Sequence, residues 1–74
     1  MRLLMKSKTI SVIGLGYIGL PTAALLANHG YNVVGVDINK KAVDAINLGG
    51  AHIFEPELEA AVQTAVNNGH LRAS

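Results

Sequence analysis

The stretch TISVIGLGYIG, residues 9–19, joins a run of β-branched residues to a glycine-rich turn. A short apolar run that ends at a glycine is typical of a buried strand in a parallel sheet, so we predict a strand over Thr9–Ile13. Beyond the glycines, apolar residues recur at helical spacing over residues 17–29, and Gly30 is placed to end that helix. The stretch therefore predicts a strand, a tight turn and a helix, which together are the opening half of a βαβ unit.

Pro21 lies about five residues into the predicted first helix. Proline is tolerated in the first turn of a helix, where its missing N–H has no partner in any case, and it disturbs the helix further in. We therefore expect an irregular first turn or a small kink at Pro21, and no end of the helix there.

The rest of the chain repeats the alternation of strand and helix. A second strand is predicted over Asn32–Val36, and Asn39 is a suitable N-cap for a second helix that runs to about Leu48. Pro56, with an acidic residue on either side, suits the first position of a third helix. Residues 70–74 are predicted to begin a third strand.

Strands that alternate with helices predict a parallel sheet with right-handed crossovers, and hence an α/β fold built on a Rossmann-type βαβ unit. Parallel sheets carry helices on both faces, which two or three strands with two or three helices cannot provide. We therefore expect residues 1–74 to be the incomplete N-terminal part of a doubly wound domain, with no second domain present. The residues before Thr9 are expected to be frayed.

Gly14, Gly16 and Gly19 match the pattern G-x-G-x-x-G, and Asp37 closes the second predicted strand 18 residues after the last glycine. In a dinucleotide-binding unit the first glycine allows the tight turn, the second lets the pyrophosphate approach the backbone, and the third lets the helix pack closely on the sheet. Free N–H groups at the positive end of the helix dipole hold the pyrophosphate. We interpret the motif as a dinucleotide-binding turn; the alternative is a Rossmann-like sheet whose glycines serve packing alone.

Asp37 indicates which dinucleotide is bound. A carboxylate at the end of the second strand accepts hydrogen bonds from the ribose hydroxyls and repels a 2′-phosphate, which favours NAD over NADP. Lys40 and Lys41 lie just beyond Asp37, and their positive charges could attract a 2′-phosphate, so NADP stays open as the alternative. The cofactor predicted from these residues is NAD.

Charge and composition exclude several other classes of function. The net charge is +1 and the six Lys and Arg are scattered, which argues against a nucleic-acid surface. No apolar run reaches the ~20 residues of a membrane span, and the first residues lack the apolar segment of a secretory signal, so a soluble cytoplasmic protein is expected. The chain has no Cys and its three His are far apart, so neither disulfides nor a metal site is expected from these residues.

Two groups of polar residues have a structural interpretation beside a functional one. Glu55, Glu57 and Glu59 could be taken for a metal-binding cluster, but acidic residues at a helix N-terminus are the simpler account. His52 in a predicted loop and His70 at a predicted strand entry are expected to lie in solvent.

The residues around the glycines also carry a resemblance to a known family. Four segments resemble the UDP-glucose/GDP-mannose dehydrogenase family: GLGYIGLPTA (residues 14–23), VDIN (residues 36–39), EPEL (residues 55–58) and GHLRAS (residues 69–74). The resemblance extends from Ile10 to Ser74 and therefore covers nearly the whole chain.

This resemblance implies roles for individual residues. It implies a pyrophosphate turn formed by Gly14, Gly16, Tyr17, Ile18 and Gly19. Asp37 is implied to bind the adenosine ribose, and Lys41 to flank the adenine. For Tyr17 an equal alternative is a packing residue at the start of a helix that keeps its hydroxyl in water.

The same resemblance implies a nucleotide-sugar 6-dehydrogenase. Such an enzyme oxidises the C6 alcohol of a UDP-sugar to a carboxylate in two NAD-dependent steps, and the reaction implied here converts UDP-N-acetylmannosamine to UDP-N-acetylmannosaminuronate. Members of the family use a Cys nucleophile, and a homo-oligomer is implied for the whole enzyme. Because this chain contains no Cys, we expect no catalytic residue within it, and UDP-sugar binding only in a longer parent protein.

Three other interpretations stay open at the level of the sequence. The chain could belong to another NAD-dependent dehydrogenase, of the UDP-glucose or hydroxyacid type. It could be a truncated remnant with no activity of its own. It could also be a small regulatory nucleotide-binding module, although that requires a completed sheet, which 74 residues do not provide.

Overall fold

The computed structural model describes residues 1–6, 8–51 and 55–74, which form one mixed sheet and three helices. The strands are β1 (Arg2–Lys6), β2 (Thr9–Ile13), β3 (Asn32–Val36) and β4 (Leu71–Ala73). The helices are α1 (Gly19–Asn28), α2 (Lys40–Asn47) and α3 (Pro56–Asn67). Strands β2, β3 and β4 are parallel neighbours in that order, which confirms the predicted Rossmann-type α/β architecture.

The expectation of a frayed start before Thr9 is wrong. Strand β1 pairs antiparallel with β2, with Arg2 opposite Ile13 and Leu4 opposite Ser11. The described side chains of β1 are exposed, so none of them produces the buried alternation by which a strand is recognised in a sequence. Backbone pairing with β2 therefore defines this strand, which lies at one edge of the sheet.

Helix α1 begins at Gly19, two residues later than predicted, which makes Pro21 its third residue. A proline in the first turn of a helix removes an N–H that has no partner within the helix. The Leu20 N–H already donates to the Gly16 carbonyl oxygen at 3.1 Å, so a turn at residues 16–18 precedes the regular helix. This arrangement agrees with the expected irregular first turn, and the helix continues past Pro21.

Helices α2 and α3 begin where the sequence predicts, each with a side chain as its N-cap. The Asn39 side chain accepts hydrogen bonds from two N–H groups in the first turn of α2. The Glu55 carboxylate accepts from the N–H groups of Glu57, at 3.1 Å, and Leu58, at 2.7 Å. These bonds support the interpretation of the acidic residues as helix N-terminal groups, and within the described ranges no cluster of His, Asp and Glu could hold a metal ion.

The core lies between the helices and one face of the sheet. Every second residue of the parallel strands is buried on that face: Ile10, Val12, Val33, Gly35, Leu71 and Ala73. Helix α3 contributes Leu58, Val62 and Ala65, which are buried at helical spacing. The residues that alternate with the buried strand positions are half-buried or exposed, so the part of the chain that the structure describes covers the sheet on one face only.

Two polar side chains tie the outer part of the sheet to the helices. The Asn47 amide, at the end of α2, donates from Nδ2 to the Ala73 carbonyl oxygen (2.9 Å) and accepts the Ala73 N–H at Oδ1 (2.8 Å). His70 is half-buried, with Nδ1 3.2 Å from the Ala27 carbonyl oxygen, so the expectation that it lies in solvent is wrong. The other histidine expected in solvent, His52, lies outside the described residues.

None of the three helices in the described ranges is both long enough and apolar enough to cross a membrane.

Candidate dinucleotide-binding site

The turn between β2 and α1 depends on two of the three motif glycines. Gly14 has a φ of +92°, in the left-handed region that favours glycine. A Cβ on Gly19 would overlap the carbonyl oxygen of Gly14 and lie 2.8 Å from its carbonyl carbon. The tight turn and the close approach of helix to strand that the motif requires are therefore both present: the backbone conformation favours glycine at position 14, and lack of space requires it at position 19.

Gly16, the middle glycine of the motif, faces open space. A Cβ placed on it would meet no atom of residues 1–6, 8–51 or 55–74 within 4 Å, so packing against these residues does not require glycine there. The N–H groups of Gly16, Tyr17 and Ile18 donate to no acceptor among the described residues. These groups stand at the N-terminus of α1, where the helix dipole is positive, and so they can receive an anion.

Leu15 anchors the turn through its side chain and its backbone. Its side chain is 1% exposed and packs against Gly35, where a Cβ would lie only 2.8 Å from Leu15 Cδ2. Its N–H donates to Asp37 Oδ2 at 2.8 Å. Neither contact is predicted by the motif, although a glycine inside the strand NVVGV signals a close approach of another group.

Asp37 is half-buried directly after β3 and connects the glycine turn with the start of α2. While Oδ2 accepts the Leu15 N–H, Oδ1 accepts the N–H of Asn39 at 2.9 Å. The two hydrogen bonds fix the orientation of the carboxylate. Ionised carboxylate oxygens accept hydrogen bonds, as binding to ribose hydroxyls requires.

The structure places the predicted glycine and acid residues together at the carboxyl ends of β2 and β3. A cavity of about 260 Å³ opens there, lined by Ile13, Gly14, Val36, Asp37 and Ile38. Ligands of doubly wound folds bind in a crevice at this end of the strands.

The other predicted site residues stand outside the core. Tyr17 is 83% exposed, so its interpretation as a packing residue finds no support among the described residues. Ile18 is also exposed, at the same turn. Lys41 is exposed in the first turn of α2, together with Lys40.

Comparison with known proteins agrees with the assignment of a dinucleotide-binding domain. The model of the family described as "UDP-glucose/GDP-mannose dehydrogenase family, NAD binding domain" matches residues 8–74. UDP-N-acetyl-D-mannosamine dehydrogenase of Escherichia coli (strain K12) is 63% identical over 70 residues, which make up 95% of this chain and 17% of that protein. NDP-N-acetyl-D-galactosaminuronic acid dehydrogenase of Ralstonia nicotianae is 60% identical over 67 residues, or 90% of this chain and 16% of that protein.

A solved structure extends the likeness to the fold. The GDP-mannose dehydrogenase from Pseudomonas aeruginosa, in a ternary complex, superimposes with a TM-score of 0.85 at 38% identity. The match covers 92% of this chain and 15% of that one. Measured against its curated relatives, the chain spans about a sixth of their length.

The matched residues contain the whole glycine motif and Asp37, and the family's description names NAD as the ligand of the domain. The prediction of NAD as cofactor is therefore confirmed at the level of the domain. The chain belongs to the UDP-glucose/GDP-mannose dehydrogenase family and represents part of its NAD-binding domain.

Proposed function

We propose that this chain binds NAD at the turn between β2 and α1. The residues assigned to the pyrophosphate are Gly14, Gly16, Tyr17, Ile18 and Gly19. The observation that carries the proposal is the row of three N–H groups, at residues 16–18, that donate to no acceptor among the described residues and lie next to an oriented carboxylate. A pyrophosphate accepts hydrogen bonds from such a row and is stabilised by the helix dipole, without any basic side chain.

Asp37 is proposed to select NAD against NADP. Its carboxylate is held between Leu15 and Asn39, at the position where the adenosine ribose of a dinucleotide lies. A 2′-phosphate on that ribose meets a fixed negative charge, and the exposed Lys40 and Lys41 offset only part of the repulsion. Lys41 is assigned to the adenine side of the site.

A calorimetric titration tests this proposal, with Asp37→Asn and Asp44→Asn compared in parallel. Both substitutions remove one negative charge, and Asp44 is exposed on α2, so Asp44→Asn controls for the change in net charge. We expect saturable NAD binding that weakens at least tenfold, or about 1.4 kcal/mol, in Asp37→Asn and is unchanged in Asp44→Asn. A folded chain that binds no NAD, or equal losses in the two variants, would contradict the assignment.

We further propose that residues 1–74 are the N-terminal part of a nucleotide-sugar 6-dehydrogenase that converts UDP-N-acetylmannosamine to UDP-N-acetylmannosaminuronate. When bound, NAD accepts the hydride in each of two oxidations. The residues of this chain hold and orient it, and because the chain contains no Cys, the nucleophile lies elsewhere in the protein. The relative at 63% identity supports this sugar, and the relative at 60% identity makes an N-acetylgalactosamine derivative the second candidate.

The test of this larger proposal begins with the coding sequence after Ser74, which distinguishes a longer enzyme from a truncated remnant. The full-length product is then assayed for NADH with the two N-acetylated UDP-sugars and with UDP-glucose. Two NADH per UDP-N-acetylmannosamine support the proposal, and activity on another sugar or on a hydroxyacid would contradict it. A cytoplasmic location and a homo-oligomeric full-length enzyme stay predictions.

A further inference from the structure

Asn68 and Gly69 form the turn between α3 and β4, at the amino end of the parallel strands and thus opposite the glycine turn. Both residues are exposed, and a Cβ on Gly69 would meet no atom of the described residues within 4 Å. They are the only Asn-Gly pair in the sequence. Asparagine is a thermolabile residue, and a glycine after it leaves the side-chain amide open to attack by the backbone because glycine has no Cβ.

The reaction open to this pair is loss of the side-chain amide as ammonia. The Gly69 backbone nitrogen gives its proton to a base in the solvent and attacks Asn68 Cγ, so that a new C–N bond forms while the bond from Cγ to Nδ2 breaks. Ammonia leaves with a proton from the solvent, and a cyclic imide remains. Water then opens the imide at either carbonyl, which gives aspartate or isoaspartate at position 68. Water is consumed, ammonia is released, and no oxidant or reductant takes part.

One hydrogen bond in the folded chain favours the attack. Asn68 Oδ1 accepts the His70 N–H at 3.0 Å. Attack at Cγ places negative charge on this oxygen, and an N–H group that already points at the oxygen stabilises the charge. The bond joins residues two positions apart, so it does not depend on the contacts between the turn and α3.

Other features of the turn hold the attacking nitrogen away from Cγ. The Gly69 N–H donates to the Val66 carbonyl oxygen at 3.1 Å. Asn68 has a ψ of −1°, which turns the Gly69 nitrogen towards the backbone nitrogen of Asn68, whereas ring closure requires it on the side of Cβ. The closed turn is therefore unreactive, and rotation about the Cα–C bond of Asn68 must come first.

Opening this turn involves little of the core. The rotation breaks the bond from Gly69 to Val66 and the bond of 3.1 Å from the His70 N–H to the Ala65 carbonyl oxygen. Neither Asn68 nor Gly69 belongs to the hydrophobic core. A helix end whose backbone hydrogen bonds are exposed opens at a low free-energy cost, independently of global unfolding.

We propose that Asn68 is a site of spontaneous deamidation in the folded chain, and that opening of the turn between α3 and β4 controls its rate. The product carries a negative charge at the C-terminus of α3, where the helix dipole is negative as well. The isoaspartate form also lengthens the main chain directly before β4. Because the His70 carbonyl oxygen accepts the Val33 N–H at 2.7 Å, this lengthening loosens the start of the pairing between β3 and β4. The inference does not depend on the binding of NAD.

Incubation in mildly alkaline buffer, followed by peptide mapping with mass spectrometry, tests the proposal once circular dichroism has shown the chain to be folded. We expect conversion of Asn68, with isoaspartate among the products, at a rate at least about tenfold below the rate in concentrated urea. The matched variant Asn68→Gln keeps an amide but must close a larger ring, so it should release no ammonia from this position. Asn67 precedes a residue with a side chain and should stay unmodified.

A second variant, Ile46→Val, distinguishes opening of the turn from global unfolding. Ile46 is fully buried on α2, away from the turn, and loss of a methyl group there raises the population of unfolded chain, which urea unfolding measures. If opening of the turn controls the reaction, the rate of deamidation in this variant should differ by less than about twofold from that of the unmodified chain.

The other outcomes would overturn the proposal or one of its parts. Conversion of Asn68 in urea but not in the folded chain would overturn the proposal, as would a rate in Ile46→Val that rises in proportion to the unfolded population. Equal rates with and without urea would overturn the control by the turn. In the purified isoaspartate form we expect faster hydrogen exchange at the Val33 N–H, and unchanged exchange would overturn the loosening of β4.

Discussion

Alanine substitution at Gly16 and at Gly19 gives opposite results for binding and stability if the glycine turn works as described. The two residues are three positions apart in one motif, yet their surroundings differ. A methyl group on Gly16 meets no atom of the described residues within 4 Å, and Gly16 is not in the left-handed region. A methyl group on Gly19 overlaps the carbonyl of Gly14.

The magnitudes follow from those contacts. Gly16→Ala adds a methyl group in open space, so the free energy of unfolding should change by no more than ~0.5 kcal/mol, as for an ordinary surface substitution. Its methyl group fills the space proposed for the pyrophosphate, and NAD should bind at least tenfold more weakly, or by about 1.4 kcal/mol. Gly19→Ala pushes backbone against backbone, which no side-chain rotation relieves; overpacking of this kind costs about 1–3 kcal/mol or more.

Urea unfolding followed by circular dichroism measures the first quantity, and calorimetric titration with NAD measures the second. The core of a domain of this size rarely supplies more than about 3–5 kcal/mol of stability, so Gly19→Ala should unfold at much lower urea or be unfolded without it. The reasoning fails if Gly16→Ala loses as much stability as Gly19→Ala. It also fails if Gly16→Ala binds NAD as tightly as the parent chain.

Three further substitutions test single contacts around the site and the sheet. In Gly35→Ala the new methyl group displaces the flexible Leu15 side chain, which should lower the free energy of unfolding in urea by about 1 kcal/mol and weaken NAD binding. Unaltered NAD binding would show that the packing of Leu15 is not needed for the binding site. Asn47→Ala removes both hydrogen bonds to Ala73 and should lower the free energy of unfolding by about 1–3 kcal/mol. An unchanged free energy of unfolding would show that water replaces the amide without loss of stability. Glu55→Ala removes the N-cap of α3 and should lower the free energy of unfolding by ~1 kcal/mol, and an unchanged urea midpoint would argue against the cap.

The parts of the fold that the sequence predicts well have strong local signals. The Asn39 cap and Pro56 mark the starts of α2 and α3 through interactions with the next few residues, and both helices begin there. Strand β1 has no such signal, because its exposed side chains leave no alternation and its identity depends on pairing with β2. The prediction for His70 fails for a related reason, since the carbonyl of Ala27 that its side chain contacts lies 43 residues away in the sequence.

The candidate site, like the fold, has a part that the sequence predicts and a part that it does not. The spacing of Gly14, Gly16 and Gly19 predicts the turn, because the conformation of the turn, the approach of the pyrophosphate and the packing of the helix each favour glycine at one of these positions. The anchoring of Leu15 could not be predicted, since its N–H is bound by a carboxylate 22 residues away and its side chain fits against a glycine on another strand. A motif thus specifies which backbone positions must lack a side chain, while tertiary structure sets the contacts that fix the conformation of the turn.

The Asn47 amide makes with Ala73 the same pair of hydrogen bonds that the backbone of an additional strand would make. Strand β4 corresponds to the third strand of the doubly wound order 3-2-1-4-5-6, which is an outer strand in the complete sheet as well. Outer strands with unsatisfied backbone groups act as templates on which other chains polymerise. An incoming chain must break both amide hydrogen bonds before it can pair with Ala73, so a single side chain opposes fibril-like growth at this edge of the folded protein.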